Sequence, residues 1–215
     1  MHTKEIVDFN QIIYENNINK IPIEKIRLTD IYIPSGKIVV TDPLVIPDLS
    51  PLNRKINPGK YPVILNIAKS TEWGDRVAIV VMKILNEKAV KFEPALRDGN
   101  KDGYSEFSVD SGLCAIYDEE TAKLYEEFED NFYENSPNGN IYDDFFADLF
   151  KLNAQTSDPK DVGDWLDFKL PNGKEHNMAM FQSGFGDGSY PVYWGIDSTG
   201  NICSIVIDFN VILLL

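Results

Sequence analysis

Histidine is almost absent from this 215-residue chain: His2 and His176 are the only two. Cysteine is as scarce, with Cys114 and Cys203 alone. These four side chains show no ligand spacing, which argues against most zinc and iron centres, because such metals need clustered imidazole or thiolate donors. A Ser-His-Asp arrangement would have to recruit His176 as its base, and no G-x-S-x-G elbow is present to present a serine. Cys114 and Cys203 each sit inside an apolar run, and so read as buried thiols in a reducing compartment. A bridge between them stays open at this point.

Long hydrophobic runs are missing too. The longest, Ile202 to Leu215, is too short to span a bilayer and is interrupted by Asp208 and Asn210. The opening Met1-His2-Thr3-Lys4-Glu5 lacks the basic-then-apolar layout of a signal peptide, so a cytoplasmic location is expected. Positive charge is the last shortage, since 20 Lys and Arg face 34 Asp and Glu for a net charge of -14. A field of that sign repels phosphate backbones and anionic membranes, and steers basic partners in.

The negative charge is concentrated. Between Asp118 and Asp148 lie eleven acids opposed only by Lys123, so this segment alone carries -10. Overall, 43% hydrophobic and 25% charged residues suit a soluble domain, and the length fits one domain with a core of its own.

Periodicity predicts a short helix within residues 3–17, stopped by Pro22, and extended chain over 23–33. Pro34-Ser35-Gly36 turns into a strand at 37–40, ended by Asp42-Pro43. Residues 61–68, 76–85 and 88–92 predict strands in an antiparallel meander, followed by strands at 106–110 and 112–117. A helix begins at Asp118, with Ala122, Tyr125, Phe128 and Phe132 as its apolar stripe and the acids opposite. Ser136-Pro137-Asn138-Gly139 breaks it. A second helix over 141–152 places Ile141, Phe145, Leu149 and Leu152 in register, beside Tyr142, Phe146 and Phe150, against a sheet. Strands return at 165–170, 177–182, 190–196 and 202–213, with a hairpin turn at 197–201. The fold class is α+β: one domain over 1–215, mainly antiparallel sheet, with a helical segment at 1–22 and an acidic helical pair inserted at 118–152.

Three stretches carry candidate chemistry. Gly184-Phe185-Gly186-Asp187-Gly188, followed by Tyr190, is spaced G-x-G-x-G and leads into a strand. A helix N-terminus is therefore not available for a pyrophosphate, and a dinucleotide-binding reading fails on context. A strained strand connection is one reading of this loop, and bare backbone that lets a ligand approach Asp187 is the other. Asp110 and Ser111 lie between two strands, where they cap a turn or offer a nucleophile. Asp98, Asn100 and Asp102 match the first half of a calcium loop, but the twelfth position is Val109, where a bidentate glutamate is needed. Any metal would be a hard ion, calcium or magnesium, on carboxylates such as Asp42, Asp110, Asp118, Asp187 and Asp208. Asp208 interrupts an apolar strand and needs a partner such as Arg76, or an outward position.

Read in order, Ser35 to Pro43, Pro58 to Val63, Asp75 to Ala78, Val109 to Gly112 with Asp118, Ser183 to Tyr190, Tyr193 to Gly195 and Ile207 to Phe209 resemble a bacterial family, domain of unknown function 4241. The resemblance runs over most of the chain from residue 24. It implies a family without an assigned activity, so it transfers no residue roles. Two functions remain in view. One is an interaction module, of the kind seen in immunity proteins of bacterial toxin systems, whose acidic helical face binds a basic protein. The alternative is a carboxylate-based, divalent-metal-dependent hydrolase or small-ligand-binding protein built on Asp42, Asp110, Ser111, Gly184, Gly186, Asp187, Gly188 and Tyr190.

Overall fold

The computed structural model describes residues 7–45, 49–99, 105–171 and 173–215. Along the chain run α1 (Phe9–Tyr14), β1 (Asn17–Ile18), β2 (Ile21–Ile33), β3 (Ile38–Thr41), β4 (Gly59–Ala68), β5 (Arg76–Lys83), β6 (Lys91–Pro94), β7 (Glu106–Val109) and β8 (Leu113–Asp118). Then come α2 (Glu119–Asn135), a π-helical segment (Tyr142–Phe146) continuing into α3 (Ala147–Lys151), β9 (Trp165–Lys169), β10 (Asn177–Gln182), β11 (Gly188–Ile196), β12 (Ile202–Asp208) and α4 (Val211–Leu214). The strands form two antiparallel sheets, a large one ordered β1-β2-β4-β5-β12-β11-β6 and a small one ordered β3-β8-β10-β9. β7 joins the large sheet by pairing with Gly188–Pro191 of β11, while β6 pairs with the later residues of the same strand.

The small sheet is a middle layer, and its sequence explains why. Side chains alternate across a strand. Ile38, Val40, Cys114, Ile116, Ala179 and Phe181 join the core shared with the large sheet. Their neighbours Val39, Leu113, Ala115, Tyr117, Met178 and Met180 join a second core beneath the helices. Both faces of β8 are thus covered, and all six of its residues are buried. On the other side of the shared core, the opposed residues Leu65, Val80, Ile207 and Val192 make a row across the large sheet. Its far edge is covered in part by α1, which lays Phe9 against Phe92 and Tyr193.

α2 starts where the sequence says it must. Asp118 caps it by accepting the Glu120 amide at 2.8 Å, Glu119 and Glu120 meet the positive end of the helix, and Pro137 follows its end. The second helix departs from the expected register. Its π-helical turn shifts the buried set to Ile141, Phe146 and Phe150, leaving Leu152 81% exposed. The shift brings both Phe145 and Phe146 to Phe168, with ring centroids 5.9 and 5.0 Å away.

Three further expectations need correction. β5 and β6 are not neighbours, since β12 and β11 lie between them. The last strand ends at Asp208, because Asn210 takes a left-handed conformation (φ 57°) and α4 follows. Of the helical segment expected at 1–22, α1 takes Phe9–Tyr14 as the short helix within 3–17, β1 and the start of β2 occupy its end, and residues 1–6 lie outside the described residues. Cys114 and Cys203 are both free and buried, so no bridge joins them. Among the described residues no helix is long and apolar enough to cross a membrane.

Candidate functional site

The chain crosses from one sheet to the other twice at one corner: β7 to β8 through residues 110–112, and β10 to β11 through 183–187. The two crossings touch. The Ser183 amide donates to the Gly112 carbonyl at 3.0 Å, and a Cβ on Gly112 would lie 4.0 Å from Gly186 Cα. The motif residues of the sequence are gathered here, because a chain that changes sheets must turn sharply while keeping its amides satisfied.

Asp42, at the end of β3, is the clamp. It is fully buried, and its Oδ2 accepts the amides of Asp110 and Ser111 at 2.9 and 2.8 Å. Its Oδ1 accepts the Ser111 hydroxyl at 2.8 Å and the amides of Leu44 and Val45 at 2.8 and 3.2 Å. A carboxylate with five donors around it is spent on the fold. Ser111 is engaged as a donor to it, and Asp110 turns its own side chain to solvent. A nucleophile at Ser111 with His176 as base is not what the geometry offers. His176 lies against Thr121 and Tyr32 before the start of β10, whereas Leu113 pairs with Gln182 at its end, about 20 Å along the strand.

The glycine loop is built with equal economy. Gly184 (φ 59°) has Phe209 and Val211 so close that a Cβ would stand 2.8 and 2.9 Å from their side chains. The Tyr190 hydroxyl reaches the Gly186 carbonyl at 2.7 Å, and the Ser183 hydroxyl donates to the same carbonyl at 2.8 Å. Gly188 opens β11, where a Cβ would meet the Tyr190 hydroxyl at 3.0 Å. Asp187 is exposed and accepts no hydrogen bond among the described residues.

The other carboxylates stand apart. Asp118 spends its second oxygen on the Ser35 hydroxyl and amide, at 2.7 and 3.1 Å. Asp208 is not paired with Arg76: among the described residues its carboxylate accepts only the Asn210 amide, at 2.8 Å, and burial pushes its carboxyl up. Asp98 is exposed, while Asn100 and Asp102 lie outside the described residues. No group of three potential metal ligands occurs among the described residues.

Beside the corner opens a cavity of about 730 Å³. The two crossings form part of its wall through Ser111, Gly112, Gly184 and Gly186, and the end of α2 and the start of the helical segment after it add Tyr133 and Ile141. Arg76, whose guanidinium lies 5.5 Å from the Phe185 ring centroid, completes it. The sequence reading missed this cavity, having weighed Arg76 only against Asp208 and Tyr133 not at all. Nothing local marks them, since each reaches the cavity through a different element.

The acidic layer is the second distinctive surface. Three of its eleven acids are not free charges on the outside: Asp118 is the buried cap, Glu119 pairs with Lys37 at 3.0 Å, and Glu129 is half-buried. Burial first, then Asp130 and Glu126, raise the Glu129 carboxyl to about 7. Eight remain exposed: Glu120, Glu126, Glu127, Asp130, Glu134, Asp143, Asp144 and Asp148. None of the eight forms an ion pair among the described residues. On α2 they follow the helical period opposite Thr121, Ala122 and Tyr125, which face the small sheet.

No curated protein and no solved structure matches the chain significantly. A family described as "Protein of unknown function (DUF4241)" matches residues 31–207, most of the chain and every motif of the sheet corner. The protein belongs to the DUF4241 family.

Proposed function

We propose that this protein is an interaction module that binds a basic protein partner through the acidic face of α2 and the helical segment after it. One observation carries the reading: eight exposed carboxylates share one helical layer with a single lysine, Lys123, and none of them forms an ion pair among the described residues. Such a surface repels itself when free and is relieved when a partner supplies Lys or Arg, so binding and charge neutralisation coincide. The same field disfavours nucleic acid and anionic membranes. The aromatic contacts beneath, among Tyr125, Phe128, Phe145, Phe146 and Phe168, hold the helices on the sheet as a firm platform.

The test is capture of partners from an extract of the producing cells, by the wild-type protein and by the neutralised variant Glu126→Gln/Glu127→Gln/Asp130→Asn/Glu134→Gln. Capture by the wild type should weaken as salt rises, and the variant should lose it. A partner held equally by both proteins, at all salt concentrations, would remove the motive for this reading.

A further inference from the structure

The cavity at the sheet corner borders the acidic layer through Tyr133, Asn140 and Ile141, and another part of its wall carries a cation, Arg76. Arg76 opens β5, and its guanidinium donates to the Asp75 carbonyl at 2.8 Å while resting over Phe185. Two carboxyl groups are near, and neither forms a direct ion pair with it among the described residues. The Asp75 carboxylate is ion-paired with Lys69. Burial and then the nearby Asp161 raise the Asp164 carboxyl, the Arg76 charge acts in the opposite direction, and no direct ion pair joins Asp164 to Arg76 among the described residues. Arg76 therefore brings to the cavity wall a guanidinium that no carboxylate among the described residues contacts directly.

Another part of that wall is bare backbone. Gly112 and Gly186 have φ of 70° and 104°, and a Cβ on Gly186 would meet nothing within 4 Å, so no side chain closes this side. The amides of Gly112, Gly184 and Phe185 donate to no group among the described residues. Tyr133 and Ile141 supply apolar surface. The volume of about 730 Å³ suits a small molecule, for which pockets run from about 300 to 1,000 Å³. A planar guanidinium with uncommitted backbone amides recognises an oxyanion by paired hydrogen bonds. Aromatic surface beside it takes a flat apolar group.

We infer that this cavity binds a small molecule carrying a carboxylate or phosphoryl group on a planar apolar body, with Arg76 holding the oxyanion and Phe185 and Tyr133 lying against the body. Binding here does not require that the acidic face hold a partner. The experiment follows amide chemical shifts by NMR during titration with benzoate, phenyl phosphate, benzyl alcohol and inorganic phosphate. Benzoate or phenyl phosphate should shift Gly112, Gly184 and Phe185 saturably, and the tighter of the two identifies the oxyanion. Benzyl alcohol and inorganic phosphate should bind about tenfold or more weakly, each lacking half of the ligand. Arg76→Gln should weaken binding about tenfold or more, whereas Arg27→Gln, the same charge change on exposed β2, should leave it intact. Val45→Trp, which fills the cavity from its lining without touching a charge, should also weaken it. The neutralised helix variant should retain it, which separates failure here from failure of the partner-binding reading. The inference is overturned by unsaturable shifts, by binding that survives Arg76→Gln, by equal loss in Arg27→Gln, or by benzyl alcohol binding as well as benzoate.

Discussion

Replacing Asp42 with asparagine changes one oxygen into a donor nitrogen and nothing else in size. In the native corner both carboxylate oxygens face donors: two amides at Oδ2, and two amides with one hydroxyl at Oδ1. The less costly amide orientation turns the new NH2 group toward one pair of backbone amides, which lose their acceptor and confront a donor. A hydrogen bond to a charged group contributes about 1.5–3 kcal/mol net, so losing two predicts destabilisation of about 3–6 kcal/mol. That is a large share of the roughly 5–15 kcal/mol that holds a domain together. Urea denaturation measures the loss, and hydrogen exchange at Asp110 and Ser111 reports whether the crossing itself loosens. A carboxylate kept for a metal or substrate behaves the other way, since removing it is neutral or stabilising for the fold. A loss below about 1 kcal/mol would refute the clamp and return Asp42 to the list of ligand candidates.

Gly184→Ala forces both a left-handed alanine and a collision with Phe209 and Val211, and should cost about 3 kcal/mol or more by chemical denaturation. Gly186→Ala meets open space and should cost only its backbone strain, about 1–2 kcal/mol. Because the Glu129 carboxyl titrates near 7 in the native state, native protein keeps a proton that the unfolded chain releases near about 4.3. Stability should therefore fall as pH rises from about 4.3 to about 7, and Glu129→Gln should remove a decline of about 1–2 kcal/mol after allowance for solvent screening, measured as denaturation midpoints across that range. Millimolar calcium or magnesium should leave the melting temperature unchanged, because Asp42 and Asp118 are saturated by protein donors. A clear rise would place an ion elsewhere, with the loop of Asp98 the first place to look.

Local chemistry was legible in the sequence, and long-range pairing was not. The β-branched runs of β4, β5 and β8 and the Asp118 cap of α2 are local signals, and all lie where periodicity put them. Strand order is different: nothing in residues 76–92 says that β12 and β11, from about a hundred positions later, enter between β5 and β6. The aromatic helix after Gly139 was readable as a helix, but its π-helical turn moves the buried set by one residue, a register that a fixed period cannot express. The candidate residues were read either as turn formers or as ligand-binding groups, and the fold brings Asp42, Asp110, Ser111 and the glycine loop to one corner. Their roles stayed hidden because Asp42 acts on amides 68 and 69 residues away. The same distance problem concealed the cavity, whose wall draws on β5, both crossings and the turn between the helices.

Hydrogen-exchange footprinting of the protein bound to its captured partner tests the acidic surface most directly. Slowed exchange confined to residues 120–148 and their partner-facing edges is the predicted result. Protection that falls on the outer face of the large sheet, with residues 120–148 unchanged, would contradict it.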